Sequence, residues 1–212
     1  SATFADANVG TGKAVTVSGY SITGTDNANY SLSQPTGLIA DITTAGAGLS
    51  WSTPSAITYG TALSSTQLNA TASVAGTFTY SPSLGTVLGA GTQTLSVTFT
   101  PTSGNYASAT TTVNLVVNKK TLTVTASSPS VIYGDGAPSV TPSYSGFISG
   151  ESATDLGTAP TCSSDYLVTS NALTTPATRC SGAVSANYSF NYVTGSVSIA
   201  KRTVTVLSLI HI

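Results

Sequence analysis

Hydrophobic residues in this chain fall on alternate positions. Val15 and Val17 share a face within Ala14–Gly19, and Leu95, Val97 and Phe99 alternate with Thr94, Ser96, Thr98 and Thr100. Ala109, Thr111, Val113, Leu115 and Val117 form a further row, followed by Leu122 and Val124 and later by Val197 and Ile199. A period of two with Val and Thr enriched predicts half-buried antiparallel strands. No stretch shows helical periodicity, and no helix cap precedes an amphipathic run. Turn signals separate the rows, among them Thr25-Asp26-Asn27, Ser52-Thr53-Pro54, Gly89-Ala90-Gly91, Gly134-Asp135-Gly136 and Thr194-Gly195. Many short strands between closely spaced turns predict an all-β chain of sandwiches, not a barrel or an α/β fold.

The rows belong to a repeat. Asn29-Tyr30, Asn105-Tyr106 and Asn187-Tyr188 recur, their tyrosines 76 (106−30) and 82 (188−106) residues apart. Tyr59-Gly60 and Tyr133-Gly134 recur 74 apart (133−59). Lys119-Lys120-Thr121 and Lys201-Arg202-Thr203 follow the last two Asn-Tyr pairs in the same place. This period is longer than a solenoid repeat and fits a small domain that buries its own core. The expected boundaries are a truncated first repeat over 1–46, a second over 47–118, a third over 119–200, and the opening of a next one over 201–206. Little Gly or Pro marks the junctions, which favours an extended, semi-rigid array over a flexible string. Ser1 begins in mid-pattern and the chain has no Met, so it reads as a segment of something longer. Residues 207–212 (Leu207-Ser208-Leu209-Ile210-His211-Ile212) break the Thr/Val pattern. They are similar to a translated sequencing adapter and are excluded as an artefact.

Composition narrows the function classes. Only 6% of the 212 residues are charged, against about 25% in an ordinary soluble domain. The net charge of −1 gives no electrostatic basis for binding nucleic acid or anionic lipid. No apolar run reaches the roughly 18 residues of a membrane span, so membrane insertion is not expected. Hydrophobic residues make up 40% of the chain, many in strict alternation, so a core can form.

The inventory for chemistry is thin. The single His is His211, in the excluded tail, which leaves no Ser-His or Cys-His nucleophile. Glu151 is the single Glu and has no indicated acid–base partner. The expectation is a chain that is not an enzyme and binds no cofactor. Asp26, Asp135 and Asp155 raise calcium, but that ion takes six to eight oxygens, and the seven acids are scattered over three repeats. No metal site is expected. A Lys–Asn isopeptide bond finds no core lysine, because Lys13, Lys119, Lys120 and Lys201 lie at strand starts or junctions. Gly10-Thr11-Gly12-Lys13 lacks the spacing of a phosphate loop and reads as a turn. The glycosylation sequons at Asn29, Asn69 and Asn187 read as chance.

Cys162 and Cys180, 18 apart, are open to two readings: a disulfide between neighbouring strands, or buried free thiols. A zinc shell lacks its other ligands. Each Asn-Tyr pair reads as a turn in which Asn accepts unusual backbone angles and Tyr plugs the end of the domain; the rival reading is sugar stacking on Tyr30, Tyr106 and Tyr188. Tyr59-Gly60 and Tyr133-Gly134 read the same way. Trp51, the sole Trp, is either an inter-sheet anchor or a carbohydrate platform, and its place in an opening strand favours packing.

Phe4-Ala5-Asp6-Ala7-Asn8-Val9-Gly10-Thr11-Gly12-Lys13 with Val15-Thr16-Val17-Ser18-Gly19 and Asn29-Tyr30-Ser31-Leu32 resembles the YDG repeat of bacterial surface proteins. Leu122-Thr123-Val124, Ile132-Tyr133-Gly134-Asp135, Ser143-Tyr144-Ser145-Gly146-Phe147 and Asn187-Tyr188-Ser189-Phe190 resemble an MBG domain, a mostly bacterial immunoglobulin-like module. Ile57-Thr58-Tyr59-Gly60 and Phe99-Thr100-Pro101-Thr102 before Asn105-Tyr106 are similar to bacterial Ig-like repeats in general. The resemblance implies tandem small antiparallel Ig-like β-sandwich domains in an extended array. It implies a stalk or spacer of a large secreted or cell-surface adhesin, outside the cell, whose partners are the neighbouring repeats. Pro160-Thr161-Cys162 and Arg179-Cys180-Ser181-Gly182-Ala183 look like the cysteine-bearing subset of MBG domains, which favours the disulfide. The alternatives are a carbohydrate- or ligand-binding module, and an accessory Ig-like domain of an extracellular hydrolase.

Overall fold

Alternation becomes strands throughout. The computed structural model describes residues 1–206; the stretch read as an adapter artefact, with His211, lies outside the described residues. The strands are β1 (Ala2–Phe4), β2 (Gly10–Val17), β3 (Ile39–Ile42), β4 (Ala45–Gly46), β5 (Ile57–Thr58), β6 (Gly76–Ser81), β7 (Gly91–Pro101), β8 (Tyr106–Ala107), β9 (Ala109–Asn118), β10 (Lys120–Ala126), β11 (Ser130–Ile132), β12 (Pro142–Ser145), β13 (Thr161–Ser164), β14 (Ala177–Ser181), β15 (Tyr188–Val193), β16 (Gly195–Ser196) and β17 (Ser198–Ala200). The chain is all-β: among the described residues the helical content is two 3-10 turns, Asn27–Asn29 and Ala153–Asp155. Residues 201–206, the expected opening of a next repeat, hold no strand and are exposed.

The contacts divide the chain into two compact units. The first comprises Ser1–Pro54, Leu63–Gly85 and Thr94–Asn114. In it β1, β2 and β3 form an antiparallel sheet, with Phe4 opposite Val15 and Ala14 opposite Ile39. The register slips between Gly10 and Lys13, and Gly12 sits there at φ +60°. That is the left-handed glycine of a β-bulge, so the Gly-Thr-Gly-Lys stretch is part of a strand and not the expected turn. β6 pairs antiparallel with β7, placing Phe78 opposite Phe99 and Tyr80 opposite Val97. Leu63, Leu95, Val97 and Phe99 are fully buried, as the alternating row requires.

The second unit comprises Ser55–Ala62, Thr86–Gln93 and the chain from Leu115 onward. β10 is the centre of a sheet ordered β12-β10-β15, and β14 the centre of another ordered β13-β14-β16. Val124 and Ala126 of β10 and Cys180 of β14 form one core cluster, with Tyr144, Cys162, Phe190 and Tyr192 packed against it. A second cluster joins Tyr166, Val197 and Ile199 with Val131 and Ala172.

The expectation of antiparallel strands needs correction. Four pairings are parallel: β4 with β8, β5 with β9, β10 with β15 and β11 with β17. In three of them an early strand of the expected 47–118 or 119–200 repeat lies beside a late one, while β4, at the end of the expected 1–46 stretch, pairs with β8 of the next. The long connection between them allows the same direction, whereas only a short hairpin forces reversal.

Backbone bonds recur with the sequence. Ala45 N–H donates to the Asn105 carbonyl at 2.9 Å, and Lys120 N–H to the Asn187 carbonyl at 3.0 Å. Tyr59 N–H donates to the Asn118 carbonyl at 2.8 Å, and Tyr133 N–H to the Ala200 carbonyl at 2.9 Å. Each Tyr-Gly pair turns the chain back, with Thr61 N–H on the Thr58 carbonyl (3.0 Å) and Asp135 N–H on the Ile132 carbonyl (2.9 Å). The turns need positive φ at the third position, which Gly60 (+93°) and Gly134 (+84°) supply.

Candidate functional site

The Asn-Tyr pairs do not use asparagine for its backbone tolerance. Leu173 is the non-glycine residue at positive φ among the described residues, and no Asn is. The carboxamides are the working part. Asn105 Oδ1 accepts the Val9 N–H at 2.9 Å, and Asn105 Nδ2 donates to Asn8 Oδ1 at 3.2 Å. Asn187 Oδ1 accepts the Ala90 N–H at 3.0 Å. Val9 and Ala90 hold matching places, each followed by Gly-Thr. Serines two residues earlier set both asparagines: Asn105 N–H donates to Ser103 Oγ at 3.3 Å and Asn187 N–H to Ser185 Oγ at 3.1 Å. Each Asn therefore grips backbone 96 or 97 residues earlier in the chain, within one compact unit, and the same grip occurs twice. Tyr30 of the first pair is 69% exposed, Tyr106 is half-buried, and Tyr188 is buried.

A second grip lies beside Asn187. Glu151 accepts hydrogen bonds from two phenols, Tyr59 on Oε1 and Tyr188 on Oε2. The two rings meet edge to face with centroids 5.4 Å apart, and Phe147 meets Tyr188 the same way at 5.4 Å. Tyr188 Oη also accepts the Ile148 N–H at 3.0 Å. Burial, then the bond to Glu151, pushes the Tyr188 phenol up to about 12. The Glu151 bond, then burial, raises Tyr59 as well. A carboxylate holding two phenolic protons in a largely dry site is a clasp, not an acid–base pair, because both phenols are kept from ionising. Gly60 completes the fit: a Cβ there would stand 2.5 Å from Ile148 Cγ2.

Both grips join segments that the repeat pattern assigns to successive repeats, and comparison with known families bears on what those repeats are. A YDG domain model matches residues 1–37, and an MBG domain model of the YGX type matches residues 122–198. The chain contains a YDG domain and an MBG domain. Among curated proteins, none matches it.

Within the MBG domain Cys162 and Cys180 stand opposite each other on β13 and β14 and form a disulfide, Cα atoms 4.0 Å apart. It packs in the cluster with Val124 and Ala126, so it staples the core and not a surface loop. Within the YDG domain Lys13 Nζ closes the loop ahead of β2, pairing with Asp6 and donating to the Asn8 carbonyl at 2.7 Å. The Lys13 ammonium and the Asn8 N–H hold the Asp6 carboxyl below its ordinary range.

The remaining candidates do not converge. Asp135 pairs with Arg202, Asp155 caps the 3-10 turn at Ala153–Asp155, and Asp165 pairs with Arg179. No group of three metal-ligating side chains occurs among the described residues. Lys119 Nζ donates to the Ser185 carbonyl at 2.8 Å. Trp51 is half-buried, donates Nε1–H to the Gln67 carbonyl at 3.1 Å, and meets Tyr80 edge-on at 5.3 Å. Glu151 entered the sequence reading only as an acid without a partner. The signal that singles it out was present, since a lone Glu in a chain this poor in charge is unusual, but its partners lie 92 and 37 residues away. No helix among the described residues is long and apolar enough to cross a membrane.

Proposed function

We infer that this chain is a structural spacer, a run of Ig-like repeats in a large secreted or cell-surface bacterial protein of the adhesin kind. Its work is to hold another domain away from the cell. It catalyses nothing, its partners are the repeats before and after, and it neither binds nucleic acid nor inserts in a membrane. The observation that carries this reading is the asparagine grip built twice at the same place in successive repeats. A joint that recurs with the repeat belongs to a design that fixes direction along a chain. The disulfide fits an oxidising compartment, and low charge suits a surface that must not attract ligands. The carbohydrate-module alternative needs a free aromatic platform; of the rings that suggested it, Trp51 is tied to Gln67 and Tyr80, Tyr106 is half-buried and Tyr188 is buried, which leaves Tyr30, 69% exposed, as a single open ring and not a platform.

Small-angle scattering tests the spacer. A single globule of this length has a radius of gyration of about 17 Å. The array should give a value well above that, unchanged by calcium or chelator. A value near the globular figure, or one that moves with calcium, sinks the reading.

A further inference from the structure

Tyr59 and Tyr133 occupy the same place in successive repeats, yet they differ sharply. Each follows a short strand, donates its N–H to the end of its repeat's closing strand, and precedes a positive-φ glycine. Tyr59 is 7% exposed and Tyr133 43% exposed. The difference is the set of groups contributed by the following repeat: the Glu151 carboxylate, the Tyr188 ring and Ile148.

The asparagine grip also has an equivalent place. Ala172 lies 82 residues after Ala90 (172−90), the same offset that separates Asn187 from Asn105. Leu173 follows it at φ +68°, where Gly91 follows Ala90 at φ +119°. Ala90 N–H is held by Asn187; among the described residues Ala172 N–H has no hydrogen-bond partner. Tyr133, Asn171 and Ala172 line one surface concavity with Lys201, Arg202 and Val204. Exposed apolar side chains accompany its basic pair: Val204, in the lining, is 81% exposed, and Leu173, next to Ala172, is 72% exposed. Lys201-Arg202-Thr203-Val204-Thr205-Val206 matches Lys119-Lys120-Thr121-Leu122-Thr123-Val124 position for position, but Leu122 and Val124 are fully buried and Val204 and Val206 are not.

We propose that the Tyr133–Ala172 face is a docking surface for one further repeat of the MBG kind, entered through residues 201–206. The incoming repeat places an Asn carboxamide on the Ala172 N–H and a Gly-Phe-Ile-Ser-Gly-Glu loop like residues 146–151 over Tyr133. Its glutamate and its Asn-Tyr tyrosine close the same clasp that Glu151 and Tyr188 close on Tyr59. This rests on the repeat-array reading, but it concerns one face and not overall reach.

The test extends the full chain by joining residues 125–200 after Val206, so that Val206 takes the place of Val124. Nitration by tetranitromethane, read by peptide mass spectrometry, compares Tyr133 with Tyr30 as the exposed reference. A new charge-assisted bond and ring cover should lower Tyr133 nitration about tenfold or more, and slow amide exchange at Ala172 by a similar factor. Glu151→Ala in the appended copy alone should restore most of the Tyr133 reactivity, and Glu151→Gln about half of it. Formation of the second disulfide reports that the appended repeat has folded. With it formed, Tyr133 and Ala172 as reactive as before overturn the proposal. The unextended chain gives an independent check: Glu151→Ala should raise Tyr59 nitration toward that of Tyr133. Continued full protection of Tyr59 overturns the equivalence on which the docking surface stands. Scattering on the unextended chain tests the spacer separately, so either idea can fail alone.

Discussion

Removing the Glu151 carboxylate is the sharpest perturbation available. Tyr59 is 7% and Tyr188 2% exposed, so Glu151→Ala strands two phenolic protons in a site with little water. Hydrogen bonds to a charged partner contribute about 1.5–3 kcal/mol each. Tyr188 Oη still accepts the Ile148 N–H, and Glu151 itself is only half-buried, so water can replace part of the loss. The expected cost is about 2–4 kcal/mol, or a melting point lowered by roughly 10–20 °C if the second unit melts cooperatively. Glu151→Gln keeps one acceptor oxygen and should lose about half as much. Differential scanning calorimetry at neutral pH reads both. The decisive measurement is a double-mutant cycle with Tyr59→Phe, where contact predicts a coupling of about 1–2 kcal/mol. Strict additivity, or a Glu151→Ala melting point within about a degree of the parent, would refute the clasp.

Three further outcomes are expected. Tyr188 ionises near 10 when unfolded and about 12 when folded, so its contribution is complete below pH 10 and is lost as pH rises from 10 to 12. Melting should be level from neutral pH to about 9 and then fall by about 2–3 kcal/mol of stability; an equally steep fall in Tyr188→Phe would assign the effect elsewhere. Reducing Cys162–Cys180, which closes a loop of 18 residues, should cost about 3 kcal/mol; unchanged melting with both thiols alkylated would contradict it. The ion pairs Lys13–Asp6, Arg179–Asp165 and Arg202–Asp135 all involve exposed partners and are worth little, so melting should barely move between low and high salt. A strong salt dependence would show an electrostatic term that none of these pairs supplies.

The sequence disclosed faces better than neighbours. Leu95, Val97 and Phe99 were marked as one face by alternation, and all three are fully buried; the same holds for Leu122 and Val124. Alternation says which side a residue takes, but it does not say which strand lies alongside or in which direction. The parallel pairing of Lys120 with Tyr188 was therefore invisible, although both residues had been singled out. The Asn-Tyr pairs are visible as a repeat, and Asn29 and Asn105 do sit in turns, but the reach of the carboxamides is not legible. A carboxamide's acceptor is defined by a partner far away in sequence, and Asn105 reaches 96 residues back to Val9. Glu151 shows the same limit. Its neighbours in sequence are Ser and Gly, and only the fold brings two phenols to it.

The two joints are alike in plan and unlike in strength, and the difference follows from burial. The Asn105–Val9 bond is exposed, so water competes for both groups and the net gain is at the low end of about 0.5–1.5 kcal/mol. The Asn187–Ala90 bond is partly buried, and the Glu151 clasp with its crossed rings stands beside it. A carboxylate there costs desolvation, which two phenolic donors offset without adding a positive charge. That choice suits a chain with 6 basic and 7 acidic residues. An ion pair at the joint would be screened by salt and would tolerate many geometries, whereas two phenols must arrive from fixed directions. The cost is dependence on both tyrosines at once, because each alone leaves a carboxylate oxygen short of a donor. The contacts around Asn187 and Glu151 therefore hold the second unit together more firmly than the exposed Asn105 bond holds the first.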